Sequence, residues 1–413
     1  MKVLLVNDLP IDLPGSGGAE GHIKALYDGL KEDGHNPTIL SGQSRSKHST
    51  FFNGCYLIQN FNAPPLRKKP LRNYRNFMNA LRTVKKIIEY EDPDVIHVHN
   101  LPNPVALRFL RKLRPVVKSI HDCRPFCVKP PPYIATRLVG NTEQFCDRIF
   151  GLGCWPRCYM WVHRNPKDLI EAWSYYPFNL FALKEVMACD SIVVYSNYLK
   201  DLALRKVRNP SKVVLVNHFS DVEEHSASKI IDPDPPVLLF AGRHSPEKGI
   251  RYLLEAIKKV PPIDFETIIL GDGPMRGEVE ALIKQLCPNR KIKTLGYVPR
   301  VKLLELYKKC SFVVFPSIGS EGCPLIGIES MYHGTPVIAF DVGGVKEWLI
   351  NGETGLLVER ANTEELAGAI TRLLLDTQLR HKLGENAYSF VRKKFRQYLH
   401  IQKLISIYTE LIK

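Results

Sequence analysis

The stretch Pro316-Ser-Ile-Gly-Ser-Glu321-Gly-Cys-Pro324-Leu-Ile-Gly-Ile-Glu329-Ser-Met-Tyr-His-Gly334-Thr-Pro336-Val337 decides how the rest of the chain is read. The run before it, Phe312-Val-Val-Phe315, is short, apolar and rich in β-branched and aromatic residues, which predicts a buried parallel strand. Glu321 therefore falls at the carboxyl end of a strand. Pro324 suits the first position of a helix, where its missing N–H has no intrahelical partner to lose, and Gly334 followed by Pro336 stops that helix. Glu329 lies inside it, on the face of Leu325. The first-turn amides of Leu325 and Ile326 are unpaired donors and the helix dipole adds partial positive charge, so a phosphate is welcome there. An ionised carboxylate only accepts hydrogen bonds, so beside a bound phosphate the expected partner of such an acid is a hydroxyl, which sugars and riboses supply in pairs.

With 413 residues the chain is long enough for two domains with cores of their own, and 45% hydrophobic and 24% charged residues are ordinary for a soluble globular protein. The start, Met1-Lys-Val-Leu-Leu-Val-Asn-Asp8, reads as a first strand rather than a signal peptide. No apolar run approaches the roughly 20 residues that a spanning helix needs, so any membrane contact is expected to be peripheral and the chain cytoplasmic. The net charge of +15 is uneven: residues 1–230 hold 32 lysines and arginines against 21 acids, a net of +11, and the remainder carries +4. A basic N-terminal half suggests an anionic partner, namely a membrane surface, a lipid-linked phosphate or an acidic glycan. Nucleic acid is not expected, because no nucleic-acid fold signature is present and the basic runs lack interleaved stacking aromatics.

In chain order, the strand Val3–Val6 leads through Gly15-Ser-Gly17-Gly18-Ala-Glu20 into an amphipathic helix, an order that brings backbone amides close to a phosphate without matching a dinucleotide fingerprint or a P-loop. Residues 66–90 join eight lysines and arginines to apolar residues at helical spacing, which predicts one core face and one face that is either solvated or laid on a membrane. Asp94-Val-Ile-His97-Val-His99 reads as a strand with one histidine expected on each face, and Val116–Ile120 as a strand ending at His121-Asp122. Five of the ten cysteines lie between positions 123 and 158. Without a secretory signal, disulfides are not expected. Cys127, Cys146, Cys154 and Cys158 could offer thiolates to a structural zinc, although their separations are looser than the usual zinc pairs; the alternative is buried thiols in a covering loop. Residues 221–236 are charged and proline-rich and read as a linker, in which Asp232-Pro-Asp234 is discounted as a metal motif. A second sheet opens at Val237-Leu-Leu-Phe-Ala-Gly242-Arg243-His-Ser-Pro-Glu-Lys248-Gly249, with two cations at a strand's carboxyl end, where a diphosphate leaving group can be neutralised.

Glu321-x7-Glu329 resembles the Glu-x7-Glu motif of the family 4 retaining glycosyltransferases. Gly242-Arg243…Lys248-Gly249 is similar to the same family's Gly-Arg…Lys-Gly element, and Gly17-Gly18-x-Glu20 to its early glycine loop. The resemblance implies a GT-B fold: an α/β protein of two Rossmann-like, doubly wound parallel-sheet domains facing across a cleft. Residues 1–225 would form an acceptor-binding domain with a Cys-rich insertion at about 123–175, joined by a C-terminal helix at about 395–413 that crosses back. Residues 236–392 would bind the nucleotide sugar. Glu321 would contact the donor sugar, Glu329 the ribose, and the backbone near Cys323, Leu325 and Ile326 the diphosphate. Arg243 and Lys248 would hold the leaving group, His121 would touch the sugar beside the reacting carbon, and Gly17, Gly18, Gly242, Gly273, Tyr297 and Val298 would complete the donor site. The family more often has Phe-Gly where this chain has Cys323-Pro324, which removes one N–H donor. The implied activity is metal-independent, retaining transfer from a UDP- or GDP-sugar to a glycan or lipid-linked acceptor, with no cofactor required. A non-catalytic nucleotide-sugar binder and a sugar-nucleotide 2-epimerase are the rival readings.

Overall fold

The computed structural model describes residues 1–9, 18–43, 50–52, 54–61, 70–127, 137–139, 142–144, 166–220, 222 and 232–413. Gly17, Cys146, Cys154 and Cys158 lie outside these residues, as does most of the expected linker. The chain divides into two compact units, Met1–Asn217 with Gln397–Lys413, and His218–Arg396.

The first unit is built on β1 (Lys2–Asn7), β2 (Asn36–Gln43), β3 (Thr50–Phe52), β4 (Cys55–Gln59), β5 (Val95–Val98), β6 (Val116–Ile120), β7 (Arg137–Val139), β8 (Thr142–Gln144), β9 (Ser191–Val194) and β10 (Val213–Leu215). Its main sheet has the order β10-β9-β6-β5-β1-β2-β4-β3, and β7 and β8 form a separate antiparallel ribbon. All pairs in the main sheet are parallel except β3 with β4. Strands such as Val3–Val6 are apolar almost throughout because helices cover both faces. The helix Pro70–Glu91 packs Phe77, Leu81, Val84 and Ile88 against the sheet's core and leaves Arg75, Arg82, Lys85 and Lys86 exposed. The strand order reverses direction between β1 and β5, which is where open α/β sheets bind ligands, at the strands' carboxyl ends. The helix Gln397–Ile412 belongs to this unit. The Gln397 amide donates to Ala25 O at 2.8 Å, the His400 ring meets Asn217 O at 2.7 Å, and the Tyr408 hydroxyl meets His97 Nδ1 at 2.6 Å.

The second unit holds β11 (Val237–Ala241), β12 (Glu266–Leu270), β13 (Lys291–Gly296), β14 (Phe312–Phe315), β15 (Val337–Phe340) and β16 (Gly355–Val358), all parallel, in the order β13-β12-β11-β14-β15-β16. Here the order reverses between β11 and β14, paired through Leu238 with Phe312 and Leu239 with Val313. Trp348 is fully buried on the helix Leu325–Tyr332: a Cβ at Gly327 would lie 2.3 Å from its indole. Asp232 serves this unit's packing, since its carboxylate takes Arg380 at 3.1 Å and His381 at 2.8 Å.

Two local expectations are corrected. His97 and His99 do not project to opposite faces, because residues two apart on a strand share one face, and their ring centroids are 4.2 Å apart. Pro324 is the N-cap, with extended backbone (φ −70°, ψ 121°), and Leu325 is the first helical residue. Among the described residues no helix is long and apolar enough to cross a membrane, and no group of three or more His, Cys, Asp or Glu is arranged to hold a metal.

Candidate active site

The carboxyl ends of β11 and β14 lie side by side where the second sheet reverses, so the loops that follow them are forced together. After β11 the chain passes Gly242 and Arg243, makes a tight turn at Pro246–Lys248, and reverses at Gly249 with φ 66°. A Cβ at position 249 would stand 1.8 Å from the carbonyl oxygen of Pro316, so both the backbone angle and the space demand glycine. The carbonyl of Glu247 then accepts from Ile318 N at 2.9 Å, Gly319 N at 3.1 Å and Ser317 Oγ at 2.9 Å, which ties the first loop to the second. The Glu247 carboxylate is itself held by Ser245 Oγ at 2.5 Å.

This frame brings together two residues that are far apart in the chain. Lys248 Nζ donates to Glu321 Oε1 at 2.8 Å, with the side chains 25% and 17% exposed. Ser317 Oγ donates to the same oxygen at 2.5 Å, and the Phe315 ring lies 5.7 Å from the ammonium. Arg243 is exposed and makes no ion pair among the described residues. Beyond Glu321 the helix Leu325–Tyr332 begins, and its N-cap contributes no side-chain hydrogen bond to the first-turn amides. Cys323 is buried, and burial pushes its thiol up to about 12, so it adds no charge here.

Glu329 lies in that helix with its side chain only 6% exposed, and Arg300 Nη2 meets its Oε1 at 2.9 Å. The acid expected to await a hydroxyl thus already has a cation on one oxygen. Arg300 opens the helix Arg300–Lys309, whose buried Tyr307 lies two turns on; burial, then the charge of Glu329, hold that phenol well above its ordinary range. Tyr297 and Val298 follow β13, with Tyr297 exposed. Gly273, after β12, packs against backbone: a Cβ there would lie 2.5 Å from His244 O.

In the first unit His121 follows β6, and its Nε2 lies 3.0 Å from His99 Nδ1. His99 and His97 are fully buried, and His97 Nε2 bonds Ser119 Oγ at 2.8 Å, which in turn meets the Tyr195 hydroxyl at 2.7 Å. His22 and His400 complete the cluster, with ring centroids 5.1 Å apart. Desolvation drives His97 down to about 3 and His99 well below its ordinary value, so these rings are neutral near pH 7. Gly18 opens the helix Gly18–Glu32.

Chemically, the second unit's edge offers an ammonium, a guanidinium and helix amides to an anion, flanked by carboxylates able to accept from hydroxyls. Sequence reasoning missed Glu247, Ser317 and Arg300, and it set His99 on the wrong face. The first two left a trace, as polar residues beside the cation and the acid, but nothing in the order of residues pairs Arg300 with Glu329.

Comparison with known proteins bears on the family and the fold. Residues 221–390 match the model for glycosyl transferases group 1, and residues 16–224 match that for glycosyltransferase family 4. An uncharacterized glycosyltransferase of Methanocaldococcus jannaschii is 32% identical over 412 residues, covering 100% of this chain and 99% of that protein. The alpha-D-kanosaminyltransferase of Streptomyces kanamyceticus is 32% identical over 180 residues, 43% of this chain and 46% of its own. Among solved structures, the sucrose-phosphate synthase of Thermosynechococcus elongatus superposes with a TM-score of 0.75 at 19% identity, over 99% of this chain and 98% of that one. Anabaena HepE in complex with UDP and glucose does so with a TM-score of 0.67 at 18% identity, over all of both chains. The two parallel-sheet units are those of the GT-B fold. An alignment running the length of the chain, with family models that between them take in both units, leads to one conclusion: the chain belongs to the glycosyl transferases group 1 and is a glycosyltransferase.

Proposed function

We propose that this enzyme takes its sugar from a nucleotide-sugar donor whose diphosphate is held at the reversal point of the second sheet. The observation that carries the reading is the Lys248–Glu321 pair, 2.8 Å apart between the ends of β11 and β14 and next to the start of the helix Leu325–Tyr332. Lys248, Arg243 and the amides of Leu325 and Ile326 would stabilise the diphosphate as the anomeric bond breaks, with Glu321 on the sugar and Glu329 on the ribose. With these groups offering positive charge to the leaving group, the proposed reaction uses no metal. The proposed stereochemical course is retaining, with the departing phosphate taking the acceptor's proton. Binding of UDP, glucose and UDP-glucose by HepE, which shares the fold, supports a UDP-sugar as the first donor to try.

A ligand that binds only the folded state raises its melting temperature. In a thermal-shift panel of UDP, GDP, ADP and CMP, one of the first two is expected to raise Tm by several degrees at millimolar concentration, the fold being stabilised by roughly RT ln(1 + [L]/Kd). No shift with any nucleotide would sink the donor-site assignment.

The acceptor is proposed to be a glycan or a lipid-linked sugar, reached from the cytoplasmic face of a membrane. The helix Pro70–Glu91 exposes Arg75, Arg82, Lys85 and Lys86 together with Tyr74 and Tyr90, a face suited to anionic lipid at about 1 kcal/mol per cation near the surface. The enzyme is expected to sediment with phosphatidylserine vesicles at low salt and to leave them at high salt. Absence of binding at low salt would remove the membrane from this reading.

A further inference from the structure

The first sheet also carries a cavity at its other edge. At the amino ends of β1 and β2, where Lys2 and Asn36 are paired in register, a cavity of about 390 Å³ opens, lined further by Thr38, Tyr90, Glu91 and Pro93. β1 has six residues, so at about 3.3 Å per residue this place lies roughly 17 Å from the carboxyl ends where open α/β sheets bind substrates. Its walls are fixed by hydrogen bonds. The Asp94 carboxylate accepts from the Lys2 amide at 2.8 Å and the Asp94 amide donates to the Lys2 carbonyl at 2.9 Å; Glu91 accepts from the Tyr56 hydroxyl at 2.5 Å and from Thr38 Oγ1 at 3.3 Å. A carboxylate has about four lone-pair positions, so Glu91 keeps capacity for further donors. The Lys2 ammonium and the Asn36 side-chain amide have no hydrogen-bond partner among the described residues, and Tyr90 is 82% exposed.

The lining is polar and balanced, with one cation, one acid, an amide and a hydroxyl beside one aromatic ring. An apolar ligand would strip water from those groups without replacing its hydrogen bonds, and a polyanion would meet a single cation with Glu91 and Asp94 close by. A sugar matches every group. Its hydroxyls both donate and accept, so they serve Glu91 on one side and Lys2 and Asn36 on the other, while the apolar face of a pyranose ring covers an exposed phenol ring. We propose that this cavity is a second saccharide site, which takes an uncharged glycosyl unit with one ring face on Tyr90. The inference goes beyond the donor-site reading and does not depend on it. Tyr90 lies one turn after the exposed Lys86 on the helix Pro70–Glu91, so the sugar comes either as a free glycan or as the headgroup of a neutral glycolipid.

Calorimetry on the full chain with maltotriose, cellotriose, mannotriose and chitotriose, and with trigalacturonic acid as the charged control, tests the free sugar. Flotation with phosphatidylcholine vesicles that hold or lack a glucosyl diacylglycerol tests the headgroup. Binding of a neutral probe is expected in at least one arm, undiminished by saturating UDP or GDP, and the arm that responds identifies the source. Tyr90→Ala is expected to weaken that binding about tenfold and Tyr90→Phe by less than about twofold, because the ring remains. Glu91→Gln and Asn36→Ala are each expected to cost about threefold to tenfold, as loss of one hydrogen bond implies. Tyr90 is exposed, so the melting temperatures of its variants are expected to match the wild type. No binding of a neutral probe in either arm, tighter binding of trigalacturonic acid, or an affinity unmoved by both Tyr90→Ala and Glu91→Gln would overturn the proposal. A wild type that binds these sugars but no nucleotide overturns the donor-site reading alone.

Discussion

Lys248→Ala is expected to lower turnover about a thousandfold while leaving the fold intact. Removing one preorganised donor from a site where charge develops costs roughly 10² to 10³ in rate, and the donor here is a full cation. Its partner Glu321 is only partly buried, so loss of the pair costs stability no more than about 1–2 kcal/mol after allowance for solvent screening. Glu321→Gln distinguishes geometry from charge: an amide oxygen can still accept from Lys248 and Ser317, both of which meet Oε1 in the wild type. Partial activity is expected for Glu321→Gln and much less for Glu321→Ala. The measurement is release of nucleoside diphosphate from the nucleotide sugar that gives the largest thermal shift, alongside melting temperatures of each variant. Wild-type rates in both alanine variants would refute the assignment of the catalytic edge.

Acidification should unfold the first unit well above the pH at which most carboxylates protonate. His97 and His99 are completely buried, and desolvation lowers both, His97 to about 3 and His99 well below its ordinary value. Above the unfolded value of about 6.5 the rings are neutral in both states and contribute nothing to pH dependence. Below it the unfolded chain takes up protons that the fold refuses, so stability falls with pH from about 6.5 down to the folded values. His97 alone costs about 1.4 kcal/mol per pH unit in that window, about 2 kcal/mol between pH 6.5 and 5, and His99 adds to the loss in the same direction. Such a loss is felt against a typical domain's 5–15 kcal/mol. His218 of the second unit, lowered to about 4 by burial, acts in the same direction there. Denaturant titrations at pH 7.5, 6.5, 5.5 and 5.0 measure the effect. His97→Gln should reduce the proton uptake on unfolding by about one. A stability unchanged from pH 7.5 to 5.0 would contradict the neutral, buried state of this cluster.

The residues of the proposed catalytic edge were legible wherever the chemistry is local. Glu321, Pro324, Glu329 and Gly334 lie within one strand–loop–helix passage, and strand period, proline and glycine punctuation and helix spacing act over a few residues. The same holds for Arg243, Lys248 and Gly249 after β11. Local rules also set their own limit. Pro324 could be read as a helix start without telling N-cap from first turn, since that depends on its ψ. The histidine pair at 97 and 99 was placed on opposite faces although a two-residue step restores the face. Glu247 went unread because its role runs through its carbonyl, which every residue type possesses.

By itself the sequence determined the kind of protein: two successive sets of parallel strands with cations and acids at their carboxyl ends, and motifs similar to one family of glycosyltransferases. Only the tertiary structure decided which of those groups meet. Lys248 finds Glu321 because β11 and β14 are neighbours at a reversal of strand order, Arg300 finds Glu329 because two helices pack, and His22, His97, His99, His121 and His400 converge from separate segments. The reason is one of range: propensity and periodicity are settled within a turn or a strand, whereas pairing across tens to hundreds of residues is settled by how whole elements bury their apolar faces.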